Sequence, residues 1–157
     1  MDTEHRAMHE NHYRHLGLMT ALSFVSMYVL MYAMVNAFAN VYNSVNQVYM
    51  AGLMTAPMVV IELVVMRGMY HDRRRNLIIM AIAAVAGIVC FALIRQQTAV
   101  SDRQFLRSMI PHHAGAILMC QEAPISDAEI LKLCETITSG QQAEIDQMKR
   151  KLAELRD

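Results

Sequence analysis

Between Met109 and Cys120 the chain reads Met-Ile-Pro-His-His-Ala-Gly-Ala-Ile-Leu-Met-Cys. Two thioethers, two adjacent imidazoles and a thiol fall within about three helical turns, and these are the side chains that soft and borderline metals such as copper prefer. At about 100° per residue, Met109, His112, His113, Ala116 and Cys120 share one side of a helix with Met119 at its margin, so several donors can face one point. Neighbouring side chains still point about 100° apart. His112 and His113 therefore serve one ion only if Pro111, which frees the carbonyl of Arg107, bends the helix, or if one imidazole serves a partner chain. A lone helical histidine is usually just a hydrogen-bonded residue. The Met, Pro and Met-Cys around this pair are what raise the metal reading.

The elements that must position these donors lie in residues 101–157, where polar and apolar residues alternate as in a soluble fold. Ser101 followed by Gln104 is a capping box that starts one helix; Pro124 ends it, and Ser126 followed by Glu129 caps the next. In the second helix Ile130, Cys134, Ile137, Gln141, Ile145, Met148 and Leu152 form a seam of alternating threes and fours, which predicts an antiparallel hairpin. Folding about residues 124–126 puts His112 and His113 near Ile137 and Met109 near Gln141, with Gln141, Gln142 or Glu144 as oxygen donors. Cys120 and Cys134 are then offset by about 6 Å along the axes, so no intramolecular disulfide is expected. A hairpin of this length buries too little apolar surface to stand alone, and pairing of two copies into a four-helix bundle is the natural remedy.

The remainder is apparatus for a membrane. Apolar residues make up 55% and charged residues 18%, against about 45–50% and 25% in soluble domains, and the surplus sits in long runs. Residues 16–39 carry no charge and are long enough to span; residues 48–66, broken by Pro57 and Glu62, and residues 77–94 give two more spans. Asn40, Asn43, Ser44 and Asn46 form the first connector, with Tyr42 and Tyr49 as interface aromatics. The expected fold is all-α: three transmembrane helices within 16–95, then the hairpin, completed by oligomerisation. Arg67, Arg73, Arg74 and Arg75 in the second connector, with Arg6 and Arg14 before the first span, outweigh Arg95, Arg103 and Arg107. The N-terminus and basic loop are thus expected in the cytoplasm of a bacterial inner membrane, with the hairpin periplasmic or extracellular.

Fifteen methionines have a plain explanation as flexible filler and a sharper one as Cu(I) donors. Met27, Met31 and Met34 on the first span and Met50, Met54, Met58 and Glu62 on the second make two strips that could form a membrane path. Their plain reading is that they fill helix contacts beside small residues. His5, Met8, His9, His12 and His15 in the polar segment 1–15 fall on one arc and form a possible second metal site, or a solvated lead-in to the membrane. Net charge is zero and no basic block is interleaved with aromatics, so nucleic acid is not an expected partner. No nucleophile with a positioned base and no Gly-rich phosphate loop is visible, so catalysis is not expected.

The segment from Phe105 to Met119, followed by Gln142, Glu144, Ile145 and Met148, resembles the domain of unknown function 305 family in its Met-x-x-His-His-x-x-Ala-Ile core. The resemblance implies a ferritin-like helical bundle and copper binding, with His112, His113, Met109 and Met119 as candidate ligands and Gln142, Glu144 and Met148 as the matching second half. Cys120 joins the candidates by its place on the donor face. The expectation is a membrane-anchored protein of copper handling or tolerance, homo-oligomeric, with a copper ion in the exterior hairpin. The alternatives are a copper-conducting channel using the methionine strips and an oligomeric scaffold with no metal role.

Overall fold

The computed structural model describes residues 2–155, with side chains from residue 11 onward. Five helices run in order: α1 (Asp2–Leu30), α2 (Val45–Val65), α3 (Arg73–Gln96), α4 (Asp102–Glu122) and α5 (Ala128–Glu154). Two 3-10 turns, Met31–Met34 and Phe38–Asn40, lie between α1 and α2, and no strand occurs among the described residues. The all-α expectation holds. Three segments, Asn11–Met34, Val45–Val65 and Arg73–Gln96, are long and apolar enough to cross a membrane. The first stops short of the expected Ala39. There the Asn40 amide, buried, donates to Asn36 Oδ1 at 2.8 Å, a local bond that competes with continued helix.

The chain divides into two compact units, Met1–Leu30 with Val48–Thr98, and Met31–Gln47 with Ala99–Asp157. In the first, Leu16 of α1, Val59 and Leu63 of α2, Tyr70 of the loop that follows α2, and Ala83 of α3 form the buried cluster. The helices meet over small residues. A Cβ on Gly52 would lie 2.9 Å from Cys90 Sγ, and one on Gly87 would lie 3.1 Å from Ala56 Cβ, so these glycines set how closely α2 and α3 approach. At the basic loop Asp72 caps α3 by accepting from the Arg75 amide at 3.0 Å. Tyr13 ties α1 there: its hydroxyl donates to Asn76 Oδ1 at 2.8 Å and its ring lies 5.4 Å from that of Tyr70.

In the second unit α4 and α5 pack antiparallel around Ile110, Ala114, Ile117 and Ile145, all essentially inaccessible, with Val35, Tyr42, Met148 and Leu152 closing the cluster. Both Val35 and Tyr42 come from the segment between α1 and α2: Val35 falls within the expected first span and Tyr42 is the expected interface aromatic, yet each packs on α4. Helix α4 thus has α5 on one side and connector residues on another.

Its caps differ from expectation in instructive ways. Ser101 accepts from the Gln104 amide at 3.4 Å, but the Gln104 side chain does not return the bond. Its Oε1 instead accepts from Val45 N at 3.0 Å, satisfying an orphan donor at the start of α2. Helix α5 is capped by Asp127 and not by Ser126: Asp127 Oδ1 accepts from Glu129 N at 2.9 Å and Ile130 N at 3.0 Å. A carboxylate one residue nearer the helix satisfies two donors and also suits the dipole.

Cys120 and Cys134 form a disulfide, with Cα atoms 5.2 Å apart. This overturns the expectation that they would be too far offset. The hairpin register is the reason: His113 faces Glu144, and Arg103 Nη1 donates to the Leu155 carbonyl at 2.9 Å, so α5 is shifted by about two turns from a fold centred on residues 124–126. Ala123 and Asp127 are extended, and an extended chain rises about 3.3 Å per residue, so the first turn of α5 lies beyond the end of α4 before the helices face each other.

Candidate metal centre

Helix α4 runs unbroken through Pro111 and presents the adjacent histidines to different surroundings. His113 is 8% exposed, and both of its nitrogens are engaged. Nδ1 is 2.9 Å from the Met109 carbonyl oxygen, one turn back, and Nε2 is 2.7 Å from Glu144 Oε2 on α5. A carbonyl and an ionised carboxylate are both acceptors, so the ring satisfies both by carrying a proton on each nitrogen; otherwise Glu144 holds the proton and donates it to Nε2. Either way His113 has no lone pair for a metal until it gives up one partner. The Glu144 side chain is 61% exposed, so this bond draws only the lower part of the roughly 1.5–3 kcal/mol available to a charge-assisted pair.

His112, about 100° round the helix, is exposed, with its ring centroid 6.0 Å from that of His113. The two imidazoles therefore do separate work. His113 pins α4 to α5, and His112 is open to an incoming ligand.

The remaining candidates sort by the same register. With His113 opposite Glu144, Met109 falls opposite Met148 one turn away, both partly buried, and Met148 packs against the apolar cluster. Met119 is 54% exposed. Gln142 is exposed and its amide donates to Asp146 Oδ1 at 3.0 Å on its own helix, so it does not reach α4. The Cys120 sulfur is bonded to Cys134 and is not a thiolate, which removes it from the ligand set in this state. Among the described residues no group of three or more His, Cys, Asp or Glu gathers. What the hairpin does bring together is imidazole and thioether.

The other candidates lie elsewhere. Met27 Sδ accepts from the Thr55 hydroxyl at 3.6 Å, Met58 and Glu62 are half-buried, and Met50 and Met54 are exposed on the first unit. Glu62 Oε1 accepts from the Tyr70 hydroxyl at 3.5 Å. Met31 and Met34 belong to the second unit, in the 3-10 turn beside α4. His12 is half-buried and His15 exposed; the side chains of His5, Met8 and His9 lie outside the described residues.

The family model for a domain of unknown function (DUF305) matches residues 79–152. The chain is similar to the uncharacterized protein L153 of Acanthamoeba polyphaga mimivirus, with 33% identity over 134 residues that cover 83% of this chain and 86% of that one. No solved structure matches it.

Proposed function

Starting from a chain that belongs to the DUF305 family, we propose a membrane-anchored copper-binding protein of copper handling or tolerance. Its hairpin takes up the ion on the non-cytosolic side, the periplasm in the bacterial case expected from the sequence. The observation that carries this reading is the exposed His112 on a helix that also offers the exposed thioether of Met119 and the half-buried one of Met109. Thioethers favour Cu(I) and imidazole suits copper in either oxidation state. Glu144 holds His113 and so fixes the helix that carries these donors. His113 joins the coordination shell only by giving up the Met109 carbonyl or Glu144.

Placement on the exterior side draws on two independent supports. The arginine-rich connector between α2 and α3 favours the cytoplasm, which puts the region after α3 on the opposite face. A disulfide persists in an oxidising compartment, and Cys120–Cys134 lies in that region. Two hairpins pairing into a four-helix bundle complete the exterior unit.

Equilibrium dialysis of the detergent-purified full chain against copper tests the site. Exchange of His112→Ala with Met119→Leu is expected to weaken binding by at least about tenfold, the scale on which even supporting residues around a metal act. His113→Ala is a poor probe because it also unpins the hairpin. Undiminished binding by the double variant would overturn the assignment.

A further inference from the structure

At Gly115 the connector backbone comes close against α4: a Cβ there would lie 3.4 Å from the Met34 carbonyl oxygen and 3.9 Å from Met34 Cβ. The absent side chain makes a notch, and Met34 sits over it. His112 is three residues before Gly115 and Met119 four residues after, so on a regular helix both fall on the same side as the notch, their Cβ atoms about 5–6 Å from the glycine position. All three side chains are open: His112 is exposed, Met34 is 53% exposed and Met119 is 54% exposed.

We infer that Met34, His112 and Met119 form one binding site for a soft monovalent ion, Cu(I) in the proposed function, built jointly by the connector and the hairpin. The inference rests on that function and goes beyond it by naming a ligand from outside the hairpin. Metal–donor bonds of about 2.0–2.3 Å, added to the length of an imidazole and two thioether side chains, bridge the spacing around Gly115. The three donors are neutral, so nothing in the set compensates a divalent charge. Soft thioethers select the soft ion. The site therefore discriminates Cu(I) from Zn(II) through donor type and through the lack of a carboxylate. Met34 also gives the connector a role: ion binding at the notch crosslinks it to α4, and the exterior unit tightens when loaded.

The test uses the full chain in detergent micelles with 13C-methyl methionine, Cys90→Ala to remove the free thiol, and Ag(I) as a redox-inert soft monocation. The methyl resonances of Met34 and Met119 are expected to shift in parallel and saturate together. His112→Ala, and separately the volume-preserving Met34→Leu, are each expected to weaken the response of Met119 by at least about tenfold, with Zn(II) producing no such shift. If the Met119 and Met109 methyls respond while Met34 stays still and Met34→Leu changes nothing, the joint site is refuted and the hairpin reading stands. If no methyl in the second unit responds, both fall.

Discussion

Removing the Cys120–Cys134 bridge should loosen the hairpin by an amount the fold lets one estimate. The two cysteines are 14 residues apart in sequence, and a crosslink closing a loop of about 15 residues contributes roughly 3 kcal/mol by restricting the unfolded chain. At about 1.4 kcal/mol per decade, that is on the order of a hundredfold in the opening equilibrium of α4 against α5. The bridge lies at the loop end of the hairpin, and the Ile110–Ile145 cluster holds the remainder. Paired Cys120→Ser and Cys134→Ser should therefore leave a folded but more frequently opened hairpin. Hydrogen exchange of the full chain in detergent reads this: amide protection in α4 and α5 falls by about two decades, while α1–α3, in the other unit, change little. Thiol titration of denatured, unreduced protein should find one free cysteine, Cys90. Three titratable thiols, or unchanged protection in the variant, would refute the reasoning.

Ile145→Ala empties the most enclosed position of α5, at 0% exposure, and should cost about 3–4 kcal/mol of hairpin stability, read by the same exchange measurement. Gly52→Val drives a side chain into Cys90 Sγ and should destabilise the α2–α3 contact by about 1–3 kcal/mol in thermal unfolding, with Cys90→Ala restoring part of the loss. Tyr70, in the loop between α2 and α3, has its hydroxyl pKa raised above 10.0, first by burial and then by the Glu62 carboxylate. A raised folded-state pKa means its contribution is complete below the unfolded value and lost as pH rises through the folded one. Melting temperature should thus drop as pH climbs above about 10, less so in Tyr70→Phe.

The three long apolar helices were legible because uncharged runs of that length carry their signal within themselves. The divergence of His112 and His113 was legible too, since it follows from helical geometry alone. Register was not. It depends on the extended backbone of residues 123–127, and a shift of two turns exchanged Ile137 for Glu144 opposite His113 and brought Cys134 to Cys120. Asp127 took the cap from Ser126 because both residues satisfy the local pattern and only tertiary placement chooses. The packing of Val35, Tyr42 and Met34 on α4 was invisible for the same reason, being contact between segments far apart in sequence. Gly115 inside a helix was a hint only in part: it marks a close approach, as Gly52 and Gly87 do, but Gly17 and Gly140 are also helical and meet nothing within 4 Å.

In the proposed function the hairpin holds copper through open imidazole and thioether side chains. Elemental analysis of the full chain, purified in detergent from copper-supplemented cells beside its His112→Ala variant, addresses this most directly. Copper approaching one equivalent in the parent protein and falling to background in the variant is the predicted result. Background copper in the parent, or equal copper in both, would contradict it.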